Sequence, residues 1–149
     1  MKNNKGFSLV ELIIVIAIMA ILVGVMAPQL IKYIEKSKVS ADTQAADSVH
    51  TAVLTAMMDP EVVNHSGYNG SFTALSSAKS ATTLVSTSSD PISSAAGEIL
   101  GGSFATTDLK STGATDIQFQ IVGNNKVSVW VVGSDSRGSK SGSPFIVVE

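Results

Sequence analysis

The stretch Lys5-Gly6-Phe7-Ser8-Leu9-Val10-Glu11 runs directly into twenty residues without a charge, Leu12 to Ile31. Most of these are Ile, Val, Leu, Met and Ala. At 1.5 Å per residue such a helix reaches about 30 Å, the thickness of a bilayer core. Lys2 and Lys5 precede the run, and Lys32, Lys36 and Lys38 follow it. The basic start favours a cytoplasmic N-terminus, and the basic residues on the far side weaken that bias. Glu11 is the residue a plain anchor does not need. Burying a carboxylate at the edge of an apolar helix costs about 2–3 kcal/mol or more, so such a charge usually has a partner. Taken alone, Glu11 also fits a side chain that sits in the headgroup layer and reaches for water.

Two ordinary membrane readings fit less well. A secretory signal peptide has a shorter apolar core, and the only small-residue exit here is near Ala27, with Pro28 directly after such a cut. A simple single-span anchor needs neither Gly6-Phe7 nor Glu11.

The residues around the junction resemble the prepilin processing motif of type IV pilins and type II secretion pseudopilins. A short basic leader ends in Gly6, Phe7 follows, and Glu11 lies four residues later. The resemblance covers about residues 1–40 and also includes Pro28. It implies that a membrane peptidase cuts after Gly6 and that the new amine on Phe7 is methylated. It further implies that Glu11 of one subunit pairs with the Phe7 amine of a neighbour in a filament. A buried ion pair is favourable mainly relative to stranding either charge. Such a pair acts on register, because a subunit out of step leaves a charge in an apolar bundle.

The helical pattern continues past the apolar run. Val39, Ala46, Val49, Val53, Ala56 and Met57 recur at mostly three- and four-residue steps, with Asp42, Thr43, Asp47, Ser48 and His50 between them. Asp59-Pro60 supplies a stop. The spacing predicts one helix from about Phe7 to Met58, roughly 78 Å if continuous. Pro28 removes a backbone donor and Gly24 lies one turn earlier, which predicts a kink or local loss of helix between Ala20 and Pro28. In an isolated subunit this is a passive bend; in a filament, a stretch that melts.

Beyond the helix, thirteen of the 27 residues from 71 to 97 are Ser or Thr. This reads as a surface connection with short helices near Ala74–Lys79 and Ser94–Leu100. It is open to O-linked sugars, although a plain solvated loop is the simpler reading. Asn64-His65-Ser66 and Asn69-Gly70-Ser71 match a glycosylation sequon that is common by chance. Two strands are clear. Asp116–Val122 puts Ile117, Phe119 and Ile121 on one face, and Val127–Val132 does the same with Val127, Val129 and Val131. Gly123 to Lys126 reads as the hairpin turn between them, and Pro144–Val148 as a third strand. The loop before that strand holds Asp135 as its one carboxylate, too few for calcium, which takes six to eight oxygens.

Composition excludes several classes. The chain has 149 residues, enough for one modest core. It has no cysteine, so disulfides and thiolate chemistry are out. A net charge of −2 offers no general basic face for nucleic acid. His50 and His65, the only two histidines, lack a motif partner, and the glycines from Gly97 to Gly102 do not follow a strand. No catalytic constellation, cofactor or metal site is expected.

The expected fold is α+β and type IV pilin-like. It comprises a leader (1–6), a transmembrane and polymerisation helix (7–30), an amphipathic helix (31–58) and a C-terminal domain (59–149) with an antiparallel sheet of three or four strands. The resemblance implies a major-pilin-like subunit held in the cytoplasmic membrane and then built into a surface filament. Its partners would be copies of itself, the prepilin peptidase, and an assembly platform with its ATPase. The alternatives are a pseudopilin of a secretion or competence system and, in another class, a monomeric membrane-anchored binding domain.

Overall fold

A computed structural model describes residues 6–66, 77–102, 104–105, 109–122, 126–133 and 144–148. The chain forms two compact units, Met1–Lys36 and Ser37–Glu149.

Helix α1 spans Leu9–Met57. In the first unit every described side chain is exposed, apolar ones included. Pro28 lies inside the helix. Proline has no N–H to offer the Gly24 carbonyl four residues back. The secondary structure is nonetheless helical throughout Ala20–Pro28.

In the second unit α1 becomes one-sided. Asp42, Ala46, Val49, Ala52, Val53, Ala56 and Met57 are buried at helical spacing. Asp42 corrects the expectation: it belongs to the buried stripe, not to the polar residues between. Asp47 and Ser48 are exposed.

The short helix α2 (Pro60–Val63) starts at once, with Asp59 as its N-cap accepting from the Glu61 N–H and Pro60 in the first turn. Helix α3 spans Pro91–Ile99. The expected start at Ser94 is too late, because Asp90 caps the helix through the Ser93 N–H and Pro91 is pre-set for its first turn. The end of α3 is a Schellman turn. Gly102 N–H donates to the Gly97 carbonyl and Gly101 N–H to that of Glu98, while Gly101 has φ +86°.

The sheet has four strands in the order β1 (Lys79–Ser80), β2 (Ala114–Val122), β3 (Lys126–Gly133) and β4 (Pro144–Val148), all antiparallel. Ile117, Phe119 and Ile121 on β2 and Val127, Val129 and Val131 on β3 are all buried, as the alternation predicts. They share one core with the buried stripe of α1 and with Leu84 and Ile92. Lys79 departs from expectation. It is a strand residue paired with Phe119, and Ser80 donates its hydroxyl to Asp116 (2.8 Å) and caps the 3-10 turn Ala81–Thr83. Ser77 and Ala78 are not helical either; positions 74–76 of the helix expected there, the turn 123–125, Asn69-Gly70-Ser71 and Asp135 lie outside the described residues.

Candidate functional site at the N-terminus

Ser8 directly precedes α1, and its carbonyl accepts the first helical bond, from Leu12 N–H (3.2 Å). Glu11 is the third residue of the helix and reaches back, so that Ser8 N–H donates to Glu11 Oε2 at 2.9 Å. This is one half of a capping box, for which Ser8-Leu9-Val10-Glu11 has the S-x-x-E signature. The signature stands in the sequence and gives Glu11 an intramolecular role beside any pairing with a neighbour. The aligned peptide dipoles also favour a carboxylate in this first turn.

Phe7 sits one residue outside the cap and is 85% exposed. Gly6 has open space on its side-chain side and no helical structure. The Gly6–Phe7 bond therefore lies outside the helix, between two exposed residues. Gly24 likewise has nothing within 4 Å of where a Cβ would stand, so no contact inside the chain requires glycine there. Gly24 and Pro28 lie on the exposed helix, more than three turns beyond Glu11.

The apolar side chains here cover all sides of the helix. Leu9, Val10, Leu12, Ile13, Ile14 and Ile16 are exposed, and so are Leu22, Val25, Met26 and Leu30 further along. The helix is long and apolar enough to cross a membrane, and none of its most apolar window is buried. Exposed apolar surface on this scale needs a cover of lipid or protein.

The first 27 residues match the family model described as the prokaryotic N-terminal methylation motif. Residues 1–27 carry that motif. Part of the chain is also similar to known proteins. The chain is 41% identical over 56 residues to a type IV major fimbrial protein of Dichelobacter nodosus, covering 38% of this chain and 36% of that protein. It is 48% identical over 54 residues to a type IV wide pilus major component of Thermus thermophilus, covering 36% and 35%. A fimbrial protein of Pseudomonas aeruginosa is 36% identical over 59 residues, covering 40% and 38%. The chain thus matches little more than a third of the length of these relatives. No solved structure matches at a significant level.

Elsewhere the chemistry is sparse. Among the described residues no group of three or more His, Asp or Glu side chains could hold a metal ion. His50 is half-buried on α1, and His65 is exposed after α2. Asn64, the sequon asparagine, uses its side-chain Nδ2 to cap α2 through the Pro60 carbonyl (2.8 Å).

Proposed function

We propose that the chain is a structural, major-pilin-like subunit that polymerises into a type IV pilus serving adhesion, motility or related surface functions. One observation carries this reading. The methylation-motif segment runs into an apolar stretch of α1, Leu9 to Ile31, in which every described side chain is exposed. The relatives' names, fimbrial and pilus components, favour a pilus over a secretion pseudopilus.

The chemistry begins with hydrolysis of the Gly6–Phe7 bond by the prepilin peptidase. Water adds its hydroxyl to the Gly6 carbonyl carbon and a proton to the Phe7 nitrogen as the peptide bond breaks; an electrophilic methyl donor then methylates that amine with loss of one proton, and the amine stays cationic. Until assembly the subunit spans the cytoplasmic membrane through residues 7–30. The assembly platform and its ATPase then move it into a surface filament. There the Phe7 amine of one copy meets Glu11 of another. Glu11 has lone pairs to spare, since an ionised carboxylate offers about four acceptor sites and Ser8 N–H occupies one. It therefore keeps its own helix capped while it pairs. Gly24 and Pro28 supply the stretch that can lose helix when subunits pack.

Intact-mass and N-terminal analysis of filaments sheared from cells tests this. The expected species begins at N-methylated Phe7. A filament subunit that begins at Met1 or at Pro28, or an absence of this chain from sheared filaments, sinks the reading.

A further inference from the structure

A shallow cavity of about 260 Å³ lies on α1 at the end of the apolar run, lined by Gln29, Lys32, Tyr33 and Lys36. These positions are spaced i, i+3, i+4 and i+7, which places them within about 100° of arc on one helix face. All four are exposed, and the lining contains no carboxylate. Glu35 falls about 60° outside the arc.

The inference rests on reading Leu12–Ile31 as a membrane span. Under that reading the cavity sits in the headgroup layer of the outward-facing leaflet. Its chemistry suits that layer. Tyrosine partitions to the interface with its ring in the apolar zone and its hydroxyl in water, and lysine stems snorkel along apolar surface. Two ammonium groups, an amide and a phenol line one face as donors, a set suited to a phosphate oxyanion. Charge distribution adds a second reason. Removal of residues 1–6 takes away Lys2 and Lys5, so the basic side chains flanking the span are then all at its outer end, against the single Phe7 amine at the inner end. That arrangement runs against the usual charge bias of membrane proteins. An anionic partner at the outer surface offsets it.

We propose that Gln29, Lys32, Tyr33 and Lys36 bind the phosphate of an anionic phospholipid and so set the depth at which the unassembled subunit waits. The test uses the processed full-length chain in phosphatidylcholine bilayers with traces of spin-labelled phosphatidylglycerol or spin-labelled phosphatidylcholine. Electron paramagnetic resonance gives the motionally restricted fraction of each lipid and hence their relative association. Phosphatidylglycerol is expected to be favoured roughly fivefold, the order of one basic side chain near an anionic surface. Lys32→Gln with Lys36→Gln should bring the ratio to about one, while Lys38→Gln, outside the lining, should leave it unchanged. Equal association of both lipids with the unmodified chain overturns the proposal. So does a preference that survives the double substitution; if that variant also fails to build filaments, the face is a contact between subunits. Extraction of the chain from the bilayer by alkaline carbonate is a separate result, which overturns the membrane span itself.

Discussion

The buried carboxylate of Asp42 on α1 accepts the backbone N–H of Ser111 at 2.7 Å and also the Ser111 hydroxyl. Lys110 N–H donates to the other carboxylate oxygen, also at 2.7 Å. Ser111 lies just before β2, 69 residues along the chain from Asp42. One side chain thus ties the helix to the entry of the sheet, takes the Lys110 N–H, and satisfies the N–H and hydroxyl of the buried Ser111.

Asp42→Ala leaves those two N–H groups and the Ser111 hydroxyl without their acceptor. The Ser111 groups are buried, and a buried unsatisfied group costs about 1–3 kcal/mol, so a loss of about 2–4 kcal/mol is expected. Ser111→Ala removes only the hydroxyl donor and should cost about 1 kcal/mol. Thermal unfolding of the detergent-solubilised full chain, followed by circular dichroism, measures both. Equal midpoints for the Asp42→Ala and parent chains would remove Asp42 from the structural account.

A side chain at position 97 has no room. A Cβ built there stands 2.5 Å from the Val85 carbonyl carbon and 2.6 Å from the Ser86 backbone nitrogen. Gly97→Ala should therefore destabilise by about 1–3 kcal/mol through forced backbone movement. Gly24→Ala is the contrasting change. Its Cβ meets nothing within 4 Å, and alanine is favoured over glycine in a helix by about 0.5–1 kcal/mol. Helical signal should be kept or raised for Gly24→Ala, while the unfolding midpoint falls for Gly97→Ala.

Glu11→Gln separates two roles of one residue. Glutamine can still accept from Ser8 N–H and cap α1, but it carries no charge to meet a neighbour's amine. Processed subunit is expected in the membrane fraction at parental level, with filament yield down more than tenfold, the order of a stranded buried charge. Immunoblots of sheared and membrane fractions give both quantities. Undiminished filaments would dismiss the charge pairing and leave capping as the role of Glu11.

Phe119 is the largest fully buried side chain among the described residues and sits near the centre of β2. Truncation to alanine in a close-packed core costs about 3–5 kcal/mol. Gln118→Ala, one residue away on the half-buried face, should change stability by no more than about 0.5 kcal/mol. Comparing their denaturation midpoints tests whether the alternation along β2 sets the core.

What was legible in the sequence is what repeats over short range. The apolar run after Gly6-Phe7, the three-and-four spacing from Ala46 to Met57 and the two-residue alternation from Ile117 to Val131 each carry a period that local geometry imposes. Helix α1 and the β2–β3 pair follow from them, and the junction motif is contiguous in the chain. Other features depend on partners distant in sequence and leave no period. Asp42 is polar by type and looks solvated until Lys110 and Ser111 bring their N–H groups to it. Lys79 and Ser80 are a strand only because Phe119 and Gln118 present an open edge to pair with. Gly97 shows its need for glycine only where the chain at Val85 crosses α3. The sequence by itself determined the membrane-competent helix and the faces of the main strands. Tertiary structure alone decided which polar group is buried and which short segment closes the sheet, because only the assembled fold supplies their hydrogen-bond partners.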